Sequence, residues 1–374
     1  MPRVALIIVT WNSVKFLKAL LFSLHRMKEP EGGVSYIFVD NASSDGTADY
    51  IAEHFSRAII IREQNNLGFS AANNHGIRHE AARDAEYIAL LNPDTVVTED
   101  WLINILPVFD TERSIASAQP LLLYGQDKEK INSAGNKIHF LGFGFTDGNG
   151  VRWTSPSPPS QGGDNRLSPP YEGGVQEGVK PIAYASGAAV VYRKQCLEEI
   201  NLSTWLRAGP FDEDLFMYHD DLDVGWKFLL RGYHNVLVPS SIVYHHYEFS
   251  RSIKKYYWME RNRLMMLVTH YDYRTLFMVL PAFLVLELGL TFFSLLRGFF
   301  VSRVRAYGWL LIHIPLLIKK HGHIQRLRKI GDRDILKMFT GRISHQEISN
   351  PIVEYLMNPI FSAYFYLLRK LIFW

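Results

Sequence analysis

The first hundred residues alternate short apolar runs with stretches that have helical spacing. Residues 4–10 are almost entirely apolar and rich in β-branched side chains, which is typical of a strand covered on both faces. Three similar runs follow it. The predicted strands cover residues 4–10, 36–39, 58–61 and 87–91, and the predicted helices cover residues 14–27, 47–55 and 70–83. This alternation predicts an α/β fold with a doubly wound, mostly parallel sheet and right-handed crossovers.

The last third of the chain has a helical and strongly apolar pattern. Residues 252–268 predict a helix rich in Tyr, Trp, Met and Arg, and residues 276–301 form a stretch long enough to cross a bilayer. A glutamate near its centre, Glu287, costs about 2.5–3.5 kcal/mol on insertion scales. Shorter apolar runs at 306–318 and 360–374 are accompanied by basic residues. We expect membrane attachment by helices that lie in the interface or insert partly, with a buried helical subdomain as the alternative.

Residues 155–178 interrupt the α/β pattern with Pro, Gly and Ser. The text Ser-Pro-Pro-Ser-Gln-Gly-Gly at 157–163 is echoed by Ser-Pro-Pro-Tyr-Glu-Gly-Gly at 168–174. Such a segment cannot bury enough apolar area to order itself, so we predict a flexible insertion, with a functional loop over the active site as the alternative. Strand-like text resumes at Ile182, which argues against a domain boundary here. The predicted organisation is therefore one α/β domain over residues 1–250 and a helical region over residues 251–374.

The formal net charge of +3 conceals opposite charges on these two parts. Residues 1–250 carry 21 Lys and Arg against 30 Asp and Glu, whereas residues 251–374 carry 19 against 7. A basic, aromatic tail suits anionic lipid headgroups. No nucleic-acid partner is expected, because zinc-finger spacing and RNA-binding signatures are lacking. The single cysteine, Cys196, excludes an internal disulfide and fits a reducing compartment, and no secretory signal is expected.

The most informative motif is Leu-Leu-Asn-Pro-Asp-Thr at residues 90–95. The predicted strand ends at a proline, which cannot donate to a ladder, and a carboxylate follows at once. Asp94 would then lie at the carboxyl edge of a parallel strand, where open α/β sheets bind ligands. A carboxylate there can hold a hard cation, which in turn suits a diphosphate. An ordinary Asn-Pro-Asp turn is the alternative.

Polar residues also end the first two predicted strands. Asp40 lies close to where Asp94 would emerge, and its carboxylate could accept the imide N–H of a pyrimidine or ribose hydroxyls. Asp45 is instead expected to cap or turn into the following helix. Thr10 and Asn12 lie at the same edge, where they either touch a nucleotide or merely begin the next helix.

Two later clusters complete the candidate chemistry. Residues 212–223 contain six acids in twelve positions, and the neighbours Asp220 and Asp221 should raise one another's proton affinity. One of them could take a proton from an acceptor hydroxyl, unless the cluster is only a solvated helix start. The paired His245 and His246 follow a strand-like run and could contact metal or phosphate, with a structural role as the alternative. Together with Asp94, these residues indicate group transfer from a metal-bound nucleotide diphosphate.

These motifs resemble those of family 2 glycosyltransferases of the GT-A fold, especially the bacterial rhamnosyltransferase-like branch. The resemblance covers roughly residues 3–270. It rests on the text at residues 7–12, 39–47, 65–74, 90–95, 186–188 and 220–223, and on His245 with Ser250.

The resemblance implies inverting transfer from a nucleotide-diphosphate sugar, with Mg²⁺ or Mn²⁺ as cofactor. It makes Asp94 and His245 metal residues, Asp221 the general base, and Asp220 a catalytic neighbour at a position where Glu is usual. Asn92 stands where many members have Asp, and Asp40 matches an acid that contacts the base. The residues expected to bind the nucleotide sugar are Thr10, Asn12, Asp40, Asn41, Asn73, Asn92 and Gly187.

We therefore expect a glycosyltransferase at the cytoplasmic face of the cell membrane. It would transfer a sugar, with rhamnose as the candidate, to a hydroxyl of a lipid-linked or cell-envelope glycan such as a polyprenyl-linked acceptor. A sugar-phosphate nucleotidyltransferase is one alternative, but it would need a glycine-rich loop after the first strand, and residues 10–16 contain no glycine. A non-catalytic, membrane-bound sugar-binding protein is the other, and it would not need the acids at 220–223.

Overall fold

The computed structural model describes residues 3–153, 178–201, 209–247, 253–343 and 351–374. The predicted insertion at 155–178 lies outside the described residues except for Gly178. The strands are β1 Val4–Thr10, β2 Val34–Asp40, β3 Ala58–Arg62, β4 Tyr87–Leu91, β5 Thr95–Val97, β6 Ile115–Tyr124, β7 Ile131–Ser133, β8 Asn136–His139, β9 Gly144–Thr146, β10 Lys180–Ile182, β11 Ala189–Arg193, β12 His234–His245 and β13 Phe339–Thr340. The helices are α1 Val14–Arg26, α2 Thr47–His54, α3 Gly68–Arg78, α4 Trp101–Ile105, α5 Val108–Thr111, α6 Lys194–Glu199, α7 Asp220–Arg231, α8 Ile253–His270, α9 Tyr273–Arg297, α10 Phe300–Ile312, α11 Ile314–Leu327, α12 Asp332–Ile335 and α13 Asn358–Leu371.

The main sheet has the strand order β10-β12-β6-β11-β4-β1-β2-β3. Strands β4, β1, β2 and β3 are mutually parallel, as predicted. The other half is mixed, because β11 runs antiparallel to both β4 and β6 while β12 runs parallel to β6. Two antiparallel steps restore the original direction, so β6 and β12 point the same way as β4. The carboxyl ends of β1, β2, β4 and β12 consequently meet at one edge of the sheet.

Alternate side chains of β1 enter different cores, which confirms the prediction of a strand covered on both faces. Val4, Leu6 and Ile8 pack in a core with α1, α2, α4 and α5. Ala5 and Ile7 pack in the opposite core, which holds side chains of α3, α6 and α7. This period of two on a fully buried strand is the expected consequence of the pleat.

A third core joins the C-terminal helices to the α/β part. It contains Leu222 and Trp226 of α7, Met265 of α8 and Phe361 and Phe365 of α13, among other apolar side chains. The short strand β13 also pairs in parallel with β8. Apolar packing is thus continuous across the chain on either side of residue 250, and the division at that residue stays a prediction.

Helix α9 is the helix in the described residues that has the length and apolar character needed to cross a bilayer. It covers most of the predicted stretch and begins three residues earlier, at Tyr273. The next apolar stretch is broken at His313, where α10 and α11 bend by 73°. Those two helices would count as a second span only if the bend were ignored.

The glutamate at the centre of α9 is buried in a cluster of opposite charges. Glu287 is 8% exposed and lies 2.5 Å from Nη2 of Arg263 and 2.6 Å from Nη2 of Arg303, and Tyr307 donates its hydroxyl to the same carboxylate. Glu260 contacts both arginines as well, at 2.8 and 2.6 Å. The cluster attaches α9 to α8 and α10, and it explains how an apolar helix carries a charge at its middle.

Replacing Glu287 by Gln should leave two buried arginines against a single carboxylate. We expect Glu287→Gln to lower the free energy of unfolding by about 3–5 kcal/mol, as for other broken buried ion pairs. Urea unfolding followed by tryptophan fluorescence measures it. The control is Asp334→Asn, which breaks the exposed pair with Lys337 and should cost about 0–1 kcal/mol. Equal midpoints for the two variants would contradict the assignment.

Candidate active site

The ends of β1 and β2 place Thr10 beside Asp40. The two residues are register partners, and Thr10 Oγ1 donates to Asp40 Oδ1 at 3.1 Å. The other carboxylate oxygen accepts the backbone N–H of Ser43 at 3.2 Å. Asp40 is buried, so these two bonds fix the orientation of its carboxylate at the edge of the sheet.

The loops that follow these strands are bound to one another through Asn12 and Asp45. Asn12 adopts a left-handed φ of 49°, and its side-chain oxygen accepts the N–H of Ser44 at 2.9 Å. Asp45 accepts the N–H of Val14 at 3.1 Å and that of Thr47 at 3.1 Å. Since these are the first residues of α1 and α2, the prediction that Asp45 has a capping role is confirmed.

Two of the residues that are predicted to bind the nucleotide sugar make hydrogen bonds to other groups of the protein. The Asn41 amide donates to Asn66 Oδ1 at 2.9 Å and accepts the N–H of Leu67 at 2.8 Å, which holds the turn before α3. The Asn73 amide donates to the carbonyl of Phe69 one turn earlier in α3, at 2.9 Å. Both side chains are buried. Their contact with a nucleotide sugar stays a prediction.

The motif after β4 is a turn that also presents a carboxylate. Asn92 donates its N–H to the carbonyl of Ala188 at 2.9 Å, and its own carbonyl accepts the hydroxyl of Thr95 at 2.7 Å. Strand β5 then pairs with β12, with Thr95 opposite His245. The turn and the metal-site interpretations of this motif are therefore compatible, because the turn brings Asp94 next to His245.

The side chains of Asp94 and His245 face each other. Nε2 of His245 lies 3.3 Å from Oδ1 of Asp94, and Nδ1 lies 2.9 Å from the side-chain oxygen of Asn132. That oxygen accepts a hydrogen bond, so Nδ1 is the donor nitrogen, and Nε2 is the ring nitrogen that a neutral imidazole would offer to a metal ion. Asp94 Oδ1 is buried and has no hydrogen-bond partner within the described residues. Two electron-pair donors directed at one point fit a hard divalent cation.

The described ranges contain no group of three or more His, Cys, Asp and Glu side chains that could hold a metal ion. Asp94 and His245 therefore offer two protein ligands, and the remaining positions of an octahedral ion would need ligands from elsewhere. An ion that is held by one or two protein groups and completed by substrate phosphates has the usual arrangement for Mg²⁺.

His246 packs beside the same turn and has no contact with the ring of His245 among the described ring contacts. Its ring lies against Gly125, where a Cβ atom would come within 2.6 Å of it. Its backbone N–H donates to the carbonyl of Asp94 at 2.8 Å. With Asp94, Lys15 and Phe16, it lines a small cavity of about 130 Å³.

Asp220 and Asp221, the acid pair, begin α7 directly after a strained turn. Phe216, Tyr218 and His219 have φ values of 62°, 63° and 65°, which side chains with a Cβ rarely adopt. Asp221 Oδ2 accepts the N–H of Gly187 at 3.2 Å, and Oδ1 accepts the N–H of the next residue, Leu222, at 2.8 Å. Gly187, which is predicted to bind the nucleotide sugar, thus contacts the acid pair through its backbone N–H.

Burial gives the carboxyl groups of Asp220 and Asp221 different proton affinities. Burial raises the pKa of Asp221 to about 6, although the N–H groups of Gly187 and Leu222 act in the opposite direction. Burial, with the added charge of Asp221, raises the pKa of Asp220 well above its usual value. Asp221 therefore ionises first, and a carboxylate with a pKa near neutrality is suited to act as a base.

Short connections bring the acid pair and Asp94 to the same edge. Gly187 bonds to Asp221, and the carbonyl of the adjacent Ala188 accepts the N–H of Asn92, two residues before Asp94. The segment that contains Asp221 and the segment that contains Asp94 are therefore connected through two hydrogen bonds and the peptide bond between Gly187 and Ala188. Sequence reasoning missed Asn132, because it lies in a stretch with no recognisable motif and contacts His245 across 113 positions.

Comparison with known proteins identifies the family of this chain. The sequence model of Glycosyl transferase family 2 matches residues 5–200, a range that includes Asp40 and Asp94 and ends before Asp221 and His245. The N-acetylglucosaminyl-diphospho-decaprenol L-rhamnosyltransferase of Mycobacterium tuberculosis is 26% identical over 246 residues, which cover 64% of this chain and 74% of the relative. The uncharacterized protein y4gI of Sinorhizobium fredii is 25% identical over 258 residues, but this chain covers only 25% of its length.

Among solved structures, GalNAc-T7 with UDP, GalNAc and Mn²⁺ superposes with a TM-score of 0.54 at 15% identity. The match covers 73% of this chain and 48% of GalNAc-T7, so it concerns the fold alone. The family match extends over more than half of the 374 residues. The chain is a glycosyltransferase with a mixed α/β fold of the GT-A type, and it belongs to glycosyl transferase family 2.

Proposed function

We propose that the protein is an inverting, metal-dependent rhamnosyltransferase. Its donor would be a nucleotide-diphosphate rhamnose, and its acceptor a hydroxyl of a sugar joined through diphosphate to a polyprenol. The observation that carries the proposal is the meeting of Asp40, Asp94, Asp221 and His245 at one edge of the sheet. The choice of sugar and acceptor comes from the name of the mycobacterial relative.

Asp94 and His245 would hold Mg²⁺ or Mn²⁺, with Asn132 fixing the imidazole tautomer. When bound, the cation offsets the charge that develops on the departing diphosphate. Asp40 would accept hydrogen bonds from the nucleoside, with Thr10 holding its carboxylate. A pyrimidine base fits this acceptor through its imide N–H.

Asp221 would act as the general base. As the acceptor oxygen attacks the anomeric carbon in line, its proton passes to the Asp221 carboxylate, and the bond between that carbon and the diphosphate oxygen breaks. Asp220 has the higher pKa and would remain protonated beside it. Attack on the face opposite the leaving group gives inversion at the anomeric carbon.

The region 251–374 would hold the enzyme at the cytoplasmic face of the membrane. Helices α9, α10 and α13 expose large apolar side chains, among them Phe277, Leu288, Leu296, Ile312 and Tyr366. The exposed basic residues along these helices and α11 include Arg297, Arg305, Lys319, Arg369 and Lys370. Apolar area bordered by basic groups suits an anionic bilayer surface. Because Glu287 fastens α9 to the protein body, we favour peripheral or monotopic attachment.

The first prediction concerns the base. Asp221→Asn should lower kcat by about 10²–10⁴-fold, because no group remains to take the acceptor proton. The Kd of the nucleoside diphosphate should not change. The assay follows transfer from nucleotide-diphosphate rhamnose to an N-acetylglucosaminyl-diphospho-polyprenol in vesicles, beside a panel of other donors. Asp49→Asn, at an exposed position of α2, should behave as wild type. Near-full turnover by Asp221→Asn would refute the role of this residue, and wild-type transfer from another donor only would refute rhamnose.

The second prediction is a pH profile. Since the pKa of Asp221 is raised to about 6, the base is ionised above that pH and protonated below it. The kcat/KM value should be flat above about pH 7 and fall about tenfold per pH unit below pH 6. The midpoint belongs to the coupled pair with Asp220. A profile that is flat between pH 5 and 7 would show that neither carboxyl group titrates in catalysis.

The third prediction concerns the cation. Mn²⁺ should strengthen binding of a nucleoside diphosphate to the wild type, and Asp94→Asn should weaken this Mn²⁺-dependent part by about tenfold or more. Isothermal titration calorimetry with and without Mn²⁺ measures the difference. The control is Asp84→Asn, an exposed acid ten residues earlier. The metal assignment fails if Mn²⁺ strengthens binding equally in the wild type and Asp94→Asn.

A further inference from the structure

The turn before the acid pair is held from outside by a residue of α8. Asn262 is fully buried, and its side-chain amide lies 3.0, 2.9 and 2.8 Å from the carbonyl oxygens of Leu215, Met217 and Tyr218. An amide nitrogen has two hydrogens, so the three carbonyls share them. One side chain from the C-terminal region thus binds three carbonyl groups of the backbone segment that leads into Asp220.

This turn needs such support because of its backbone conformation. Phe216, Tyr218 and His219 all lie in the left-handed region, and none of them is glycine. Residues in this conformation persist only where the surrounding structure holds them there, and they are frequent at active sites. Asp221 follows only two residues after the last of them, His219.

Arg261 strengthens the same contact. Its Nη2 donates to the carbonyls of Asp214 and, at 3.2 Å, of Leu215, and its Nε donates to the Asn262 side-chain oxygen at 2.9 Å. The guanidinium carbon lies 4.4 Å from the ring centre of Trp258 and 4.6 Å from that of Trp309. Contact with two indole rings restricts the movement of the guanidinium and therefore the direction of its donors.

The aromatic contacts continue on both sides. Trp258 stacks on Phe216, with ring centres 4.8 Å apart and planes 23° apart. The carbonyl of Phe216 accepts the N–H of Phe69 at 2.6 Å, and Gly68 has a φ of 81° where a Cβ would lie 2.3 Å from that carbonyl. The turn is thus enclosed between α8 and the start of α3. On the other side, Trp309 belongs to α10.

We propose that Asn262 and Arg261 are positioning residues that hold the turn at 215–219 in its left-handed form and so set the location of Asp221. This inference rests on the proposed role of Asp221 as the general base. It assigns the C-terminal region a part in catalysis beyond attachment to a membrane. A purely structural role would instead change stability without changing kcat.

The test compares two isosteric changes of buried asparagines. Asn262→Asp removes the amide donors to the turn. Asn358→Asp is the matched control, because Asn358 is also buried and bonds through its amide to the backbone of Ile343, with both distances 2.8 Å. We expect Asn262→Asp to lower kcat by about 10²-fold, with the Kd of the nucleoside diphosphate and the donor KM within about threefold of wild type. Asn358→Asp should keep kcat within about threefold.

A second variant keeps the test valid if Asn262→Asp does not fold. Arg261→Lys retains the charge but loses the planar fork, and we expect it to lower kcat by about tenfold with unchanged nucleotide binding. Hydrogen exchange should speed up at the amides of residues 215–219 in both variants and stay slow in Asn358→Asp. Wild-type kcat in folded Asn262→Asp or in Arg261→Lys would overturn the proposal, as would loss of kcat without faster exchange.

The same assay separates this inference from the function on which it rests. If Asp221→Asn is inactive while Asn262→Asp and Arg261→Lys are fully active, the positioning proposal alone is wrong. If Asp221→Asn keeps its turnover, the base assignment itself is wrong, and the positioning role of Asn262 falls with it.

Discussion

The direction of the strands is the constraint on which the site depends. Strands β1, β2 and β4 are parallel, so Thr10, Asp40 and the turn with Asp94 come out at one edge. Strand β11 is antiparallel to both of its neighbours, β4 and β6, so β6 and β12 run in the same direction as β4. The end of β12 therefore brings His245 to the same edge. Segments from four distant parts of the sequence can therefore surround one ligand without any long excursion of the backbone.

Much of the first half could be predicted because its strands are buried on both faces. The predicted bounds of β1 and β4 match the structure, since continuous apolar runs have clear ends. The predicted helix at 70–83 is too long, because α3 ends at Arg78 and a 3₁₀ turn follows at 80–82. The mixed half of the sheet, with β6, β11 and β12, is not predicted by the sequence pattern. The pairing of β6 with β12 joins residues more than a hundred positions apart, and local pattern carries no information on such partners.

The site could be predicted as a set of residue types, but its environment could not. Mutual repulsion was expected to raise the proton affinity of Asp220 and Asp221, whereas burial is the larger cause for both. Burial of a polar side chain depends on every element packed over it, which a motif does not contain. The same holds for Asn41, whose motif suggested a ligand contact while its amide holds the turn before α3. The orientation of the His245 ring likewise depends on Asn132, which no motif marks.

The ion cluster around Glu287 also sets an order of events during synthesis. Arg263 leaves the ribosome before Glu287, but Arg303 and Tyr307 follow it and complete the cluster only afterwards. A nascent α9 therefore carries an incompletely neutralised carboxylate, which opposes its transfer into lipid at that stage. Once α8, α9 and α10 have packed, the charge is enclosed, and the side chains that α9 exposes between residues 277 and 296 are apolar. Packing of α10 against α8 and α9 therefore has to come before α9 can present an uncharged apolar surface.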